Sequence, residues 1–255
     1  MNRILFERGE IVDGRAEFSD ARAEHVLNVL HGEVGQVLKT GELDGLVGTS
    51  AITEIRGLHR REEGSAQRGS GLLAGTVVVE CSHTERAPEP WFDLILAPPR
   101  PRAMKRLLPQ LAALGVGRIV LVGAEKVEKA FWGAQLLKEV VYRPLFVEGL
   151  MQCGASRVPV MRCERNFNRY LENGLDAEFG GYDRIVAHPG GGRGVRGGCA
   201  LPVVIAIGPE GGWTDGELER LSAKGFRLNS LGSRILRTDT ATIAVIAQLM
   251  AAKGI

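Results

Sequence analysis

From Trp91 onward the chain alternates short apolar runs with helical patterns, and it finishes in a helix-length stretch, Thr240 to Ala252, without a charged residue. A helix that apolar all round is covered on more than one face, by a deep internal position, a dimer seam, or both. WFDLILA, GRIVLVGA, SRVPVMRC, YDRIVAHP and LPVVIAIG read as strands. PPRPRAMKRLLPQLAALGV reads as a loop entering a helix with Gly115 at its end, and helices are expected from Gln135 to Gln152 with Pro144 as a kink or break and from Asn166 to Leu175. This order predicts an α/β fold: a mainly parallel sheet with helices on both faces.

Residues 1–81 have a different texture. RILFERGEIV, AEFS, GEVGQVLKTGELDGLVGTSAITEI and LLAGTVVVEC suggest short strands with turn signals between them, and Asp20 precedes one helix, AEHVLNVL, with Val26, Leu27 and Leu30 at helical spacing. A small β-rich domain is expected there. SHTERAPEP, residues 82–90, is polar and proline-containing and reads as a linker, with a second domain over residues 91–255. HRREEGSAQRGSG and GGGRGVRGG read as a mobile loop and as a hinge or solvated turn.

With 32 basic and 30 acidic residues, net charge is only +2, so nucleic-acid binding has to come from local clusters. Two exist. Arg56, His59, Arg60, Arg61 and Arg68 gather late in the first domain, as a solvated hairpin tip or a phosphate-tracking patch. Arg100, Arg102, Lys105 and Arg106 lie at the C-terminal end of the first strand of the second domain, where open α/β sheets bind ligands. Positive charge at a helix N-terminus is unfavourable, and a polyanion such as RNA would offset it. Cys81, Cys153, Cys163 and Cys199 have no C-x-x-C spacing and the histidines no paired spacing, so no metal site is expected. No signal-type or membrane-length apolar run is present, which predicts a cytoplasmic protein with no membrane contact.

The glycine-rich segments lack the P-loop, dinucleotide-binding and nucleophile-elbow patterns. GPEGGWTDGELERL is more specific. Gly208 follows an apolar strand, Gly211 and Gly212 allow close backbone approach, and Thr214 with Glu217 forms a capping box that starts the next helix. Glu210 therefore sits in a tight turn at the C-terminal edge of the sheet. LGSRILRTDTA repeats the logic. Gly232 permits a turn, Ile235 and Leu236 offer an apolar wall, Arg237 lies just before the last helix, and Thr238 or Asp239 can cap it. The two loops are expected to form one small-molecule pocket.

GPEGGWTDGELE and LGSRILRTDTA resemble the signature loops of the SPOUT-class methyltransferases, specifically the family that methylates N(3) of a uridine in 16S ribosomal RNA. AEHVLNVL, LAALGV, MQCGASRVP and RIVAHP follow in that family's order, so the resemblance covers nearly the whole chain. It implies a PUA-like β-barrel followed by a trefoil-knotted domain that binds S-adenosylmethionine in the knot. It also implies a homodimer with the last helix at the interface, acting on 16S rRNA or the small ribosomal subunit. Backbone groups of Ala187, His188, Pro189, Ile207, Gly208, Pro209, Glu210, Gly211, Gly212, Leu231, Gly232, Ile235 and Leu236 are expected to hold the cofactor. Arg56, Arg60, Arg61, Arg100, Arg102, Lys105 and Arg106 are the expected RNA contacts. Asn28, His31, Leu111, Ala113, Lys126, Met151 and Ala155 depart from the family pattern, while Arg157 keeps it; these changes bear on the RNA target, not on the cofactor loops.

Uridine N(3) is protonated at neutral pH, so the site needs a base or a cation that stabilises the uracil anion. Arg237 and Arg157 are the candidate cations. Glu210 is the first candidate base and Asp239 the second, and each can equally be structural, Glu210 fixing its loop and Asp239 capping the helix. Two rival readings remain: a SPOUT methyltransferase acting on transfer RNA or a ribose hydroxyl, and an RNA-binding assembly factor that has lost catalysis.

Overall fold

A computed structural model describes residues 2–60, 72–189 and 202–254. The loop expected over GGGRGVRGG, most of the HRREEGSAQRGSG loop, Arg61, Arg68 and Cys199 lie outside the described residues. The chain divides into two compact units: Met1–Pro88 with Met151–Arg157, and Glu89–Leu150 with Val158–Ile255.

The first unit is a six-stranded sheet curled into a half-barrel. Its strands are β1 (Ile4–Phe6), β2 (Ile11–Val12), β3 (Arg15–Phe18), β4 (Val37–Glu42), β5 (Leu46–Arg60) and β6 (Leu73–Arg86), in the order β1-β4-β5-β6-β3-β2. β3 and the first half of β4 alternate exposed and buried residues, as expected for a sheet with one face on a core. Phe6, Phe18, Ile52, Val77 and Val79 fill that core, and the helix α1 (Ala21–Asn28) adds Ala23, Val26 and Leu27. Asp20 caps α1 by accepting from Arg22 N. Leu30, expected on the helix, lies past its end and is exposed.

Two expectations change here. Ser82–Arg86 is not linker but the end of β6, paired with β5 through Leu46↔Arg86, Val47↔Glu85 and Gly48↔His83. Its polar composition hides a strand whose stability comes from backbone bonds. The segment 151–157 also folds with this unit: Asn2 and Arg3 N–H groups both donate to Met151 O, and Asp44 N donates to Ser156 O.

The second unit holds a wholly parallel six-stranded sheet, β7 (Phe92–Leu96), β8 (Val116–Val122), β9 (Val160–Glu164), β10 (Asp183–Ala187), β11 (Val203–Ile207) and β12 (Arg227–Asn229), in the order β12-β10-β11-β7-β8-β9. Every residue of the adjacent β7 and β11 is buried, which is why FDLIL and VVIAI read as near-continuous apolar runs. The exception, Asp93, accepts from Arg118 N at 2.5 Å and pairs with the Arg118 guanidinium at 2.8 Å. The helices are α2 (Pro101–Ala113), α3 (Glu139–Cys153), α4 (Phe167–Asn173), α5 (Leu175–Phe179), α6 (Asp215–Ala223) and α7 (Thr238–Lys253).

The helix expected from Gln135 is a 3₁₀ turn, Gln135–Leu137, followed by α3, which runs through Pro144 without a break. The carbonyl that loses its donor there belongs to Val140, a residue 79% exposed, so the unmade bond is not buried. The helix expected over Asn166–Leu175 divides at Gly174 into α4 and α5. After β12 at the sheet edge the chain returns toward the middle, and α7 packs on α2 and β11. Among the described residues no helix is long and apolar enough to cross a membrane, and no cluster of potential ligands could hold a metal ion.

Candidate functional site

The C-terminal ends of β10 and β11 and the approach to α7 enclose a cavity of about 390 Å³, a size typical of small-molecule sites. Three chain segments line it. Ala187, His188 and Pro189 follow β10. Ile207, Gly208, Pro209, Glu210, Gly211 and Gly212 follow β11, and Leu231, Gly232, Ile235 and Leu236 precede α7. The structure thus brings all the expected cofactor residues to one cavity. Lys126, Trp213, Arg234, Thr238 and Ala241 complete the lining.

The backbone explains the glycines. Gly212 and Gly232 have φ of +69° and +104°, which L side chains rarely adopt, and a Cβ on either would meet open space rather than protein. A Cβ on Gly208 would sit 3.1 Å from Trp213 Nε1. Trp213 itself stacks on Phe167 at 5.2 Å, and its Nε1 is buried without a hydrogen-bond partner among the described residues. Below the cavity the buried Asn229 fixes two sides at once: its carbonyl accepts from His188 N, and its side chain donates to Gln248 Oε1 on α7.

The loop after β11 is fastened by a carboxylate. Glu217, 3% exposed, accepts from Thr214 N through Oε2 and from Glu125 N through Oε1, both at 2.8 Å. The first bond belongs to the capping box anticipated from sequence, whose other half is Thr214 Oγ1 accepting from Glu217 N. The second ties α6 to the turn after β8. From that turn Lys126 Nζ donates to Gly211 O at 3.0 Å. Lys126 and Glu217 are thus site-building residues whose sequence signals, a departure from a family pattern and a helix cap, did not point to the cavity.

The four candidate catalytic residues fare differently. Glu210 borders the cavity, and its Oε1 accepts from Arg100 N at 3.0 Å. Arg100 is the N-cap of α2, a helix start with no side-chain cap of its own and no acid in its first turn, so Glu210 supplies the missing acceptor and negative charge. Arg237 is the exposed N-cap of α7 and does not line the cavity. Asp239 is also outside the lining. It pairs with Arg106 at 3.3 Å and accepts from Thr240 N. The cap expected from Thr238 or Asp239 does not form, because Thr238 Oγ1 donates instead to Gly208 O at 3.3 Å, joining the two glycine loops. Arg157 belongs to the first unit.

Of the expected RNA contacts, Arg100, Arg102, Lys105 and Arg106 are all exposed at the start of α2. Arg56 is occupied by Glu54 at 2.7 Å and Glu17 at 3.2 Å, so its charge is locally balanced. Arg60 is exposed.

Residues 86–250 match the RNA methyltransferase domain family. The chain belongs to that family. It is 29% identical over 257 residues to ribosomal RNA small subunit methyltransferase E of Treponema pallidum, covering 98% of this chain and 91% of the relative. Two solved structures share the fold. Ribosomal RNA small subunit methyltransferase E of Neisseria gonorrhoeae, bound to S-adenosyl methionine, has a TM-score of 0.69 at 21% identity, over 98% of this chain and 97% of that one. A methyltransferase of Legionella pneumophila, in complex with the cofactor SAM, has a TM-score of 0.67 at 23% identity and the same coverage. Among the described residues the cavity's lining combines apolar walls with backbone edges, and Lys126, His188, Glu210 and Arg234 are its ionisable side chains. That chemistry fits a nucleoside read by main-chain groups.

Proposed function

We propose that this chain transfers the methyl group of S-adenosylmethionine to N(3) of a uridine in 16S ribosomal RNA. The observation that carries the reading is the convergence of both glycine loops, joined by the Thr238–Gly208 bond, on one cavity in a chain of the RNA methyltransferase family. Ala187, His188, Pro189, Gly208, Gly212, Leu231 and Leu236 hold the cofactor through main-chain groups, with Ile207, Pro209, Gly211, Gly232 and Ile235 completing its enclosure. When bound, the cofactor supplies an electrophilic methyl group.

The residues do the remaining work. Glu210, the candidate base that borders the cavity, takes the N(3) proton while its Oε1 stays anchored on Arg100 N. Arg237 stabilises the resulting uracil anion at a carbonyl oxygen. Asp239 holds Arg106. Arg100, Arg102, Lys105 and Arg106 grip phosphates around a uridine turned out of its helix. Arg60, on the first unit, is a separate RNA contact. The knot and the homodimer implied by the family resemblance belong to this reading. α7 leaves Ala247 exposed and Ile243 and Ala244 partly exposed, an apolar strip that a second copy covers.

Nucleoside mass spectrometry of 16S RNA from a strain lacking the gene tests the target: N(3)-methyluridine disappears and returns on complementation. Its persistence would falsify the assignment. Light scattering tests the homodimer, and a monomer at micromolar concentration contradicts it.

A further inference from the structure

The cavity at the ends of β10 and β11 carries an excess of positive charge. Among the described residues its lining holds two cations, Lys126 and Arg234, against one carboxylate, Glu210, with His188 as the fourth ionisable group. No ion pair among the described residues cancels any of the three. Glu210 accepts from a main-chain N–H, that of Arg100. Lys126 donates to a main-chain oxygen, Gly211 O, at 3.0 Å. Lys126 is also fixed in place. A Cβ added at Gly211 would lie 3.0 Å from Lys126 Cδ and 3.3 Å from Lys126 Cβ, so the lysine stem runs along the glycine and its charge stays at the wall of the cavity. Both cations are exposed, and their field is therefore weakened by salt.

From this we infer that Lys126 and Arg234 are specificity-determining residues that bias the site against the sulfonium form of its cofactor and toward the thioether left after transfer. S-adenosylmethionine and S-adenosylhomocysteine share the adenosine, the carboxylate and the ammonium. They differ by one methyl group and one positive charge on sulfur. Excess positive charge in the lining repels that extra charge and acts on the difference between the two. Transfer breaks the S–CH₃ bond, forms the N–CH₃ bond and releases the N(3) proton through Glu210 to water, so the cavity loses one positive charge per turnover. The uracil anion offsets the excess only while substrate is bound. Without RNA the two cations oppose loading of fresh cofactor and favour retention of the spent one. This inference rests on the reading of the cavity as the cofactor site, not on which RNA atom is methylated.

Calorimetry on the full chain, without RNA, measures Kd for S-adenosylmethionine and for S-adenosylhomocysteine at about 0.1 M and about 1 M salt. The quantity read is the ratio of the two constants, sulfonium over thioether. At the lower salt Lys126→Met and Arg234→Met each reduce it by about fivefold, which is ~1 kcal/mol. Methionine keeps an apolar stem. Any slackening of the loop on loss of the bond to Gly211 O weakens both ligands alike and cancels in the ratio. The charge-preserving changes Lys126→Arg and Arg234→Lys keep the wild-type ratio. At the higher salt, where the screening length falls to about 3 Å, wild type and the methionine variants converge. A ratio unchanged in both methionine variants overturns the inference. So does a change that persists in full at the higher salt, which marks a steric cause. Protein that binds neither ligand sinks the cofactor reading and this inference with it. Protein that shows the charge-dependent ratio but forms no N(3)-methyluridine supports the inference and sinks the methylation target alone.

Discussion

Glu217 is the residue whose replacement should cost the second unit most for the smallest change in shape. Glutamine keeps the volume but replaces one of two acceptor oxygens by an NH₂ group. One of the two backbone donors, Thr214 N or Glu125 N, both at 2.8 Å, then faces another donor in a site 3% exposed. Losing a hydrogen bond to a charged acceptor and stranding its buried partner costs about 1.5–3 kcal/mol. Weakening the capping box adds roughly 0.5–1 kcal/mol. The total, about 2–4 kcal/mol, lowers the melting temperature of a chain this size by roughly 5–15 °C. Differential scanning fluorimetry on Glu217→Gln, with the exposed Glu219→Gln as control, measures it. Because the Glu125 bond sits next to Lys126, which holds Gly211 O, S-adenosylmethionine binding should weaken in the same variant. A melting temperature within about 2 °C of wild type would refute the idea that this carboxylate fastens α6 to the turn after β8.

Three further outcomes are expected. Glu210→Gln keeps an oxygen for Arg100 N but cannot accept the N(3) proton, so single-turnover methylation falls by about 10²–10⁴ while the cofactor's Kd changes little; near-normal turnover would leave Glu210 an anchor only. Asp93→Ala strands the Arg118 guanidinium and an N–H in the sheet, costing about 2–3 kcal/mol by thermal melts, at the low end for a buried pair because Arg118 is 35% exposed. In the first unit, hydrogen bonds from Arg22 hold Glu10 below the usual carboxylate range; burial pushes Asp20 upward, but the same guanidinium outweighs it and lowers Asp20 too. Depressed values mean that the unfolded chain binds protons first, so this stabilisation is present above about pH 4 and is lost as pH falls through the folded values; acid melts of Arg22→Ala should show a shallower decline than wild type.

The parts of the fold legible in the sequence were those governed by local chemistry. FDLIL and VVIAI announced buried parallel strands because, Asp93 apart, both faces of each strand are apolar. Thr214 and Glu217 announced the start of α6, and the glycines of the two loops announced a close approach of backbone to something else. What stayed hidden depends on partners distant in the chain. Nothing in VVIAI says that it lies between β10 and β7. β12 is three residues, RLN, of which only Asn229 is buried. Ser82–Arg86 looks like linker because its pairing with β5 is carried by main-chain bonds. Asp239 had the right type and position for a cap, but the competing partner Arg106 comes from α2, more than a hundred residues away. Arg56 had the right charge for RNA, but Glu54 on its own strand and Glu17 on β3 cancel it.

The segment 151–157 has a consequence for biosynthesis. The first unit is discontinuous: the N–H groups of Asn2 and Arg3 and of Asp44 wait for carbonyls at Met151 and Ser156. A chain emerging from the ribosome therefore makes the whole of β7, α2, β8 and α3 before its own N-terminus is fully bonded. The sheet of the first unit can form early, but its closing bonds come from residues translated some sixty positions after Pro88. A protein ending at residue 88 should then exchange the amides of Asn2, Arg3 and Asp44 faster than one ending at residue 255, while the amides of β5 and β6 differ far less.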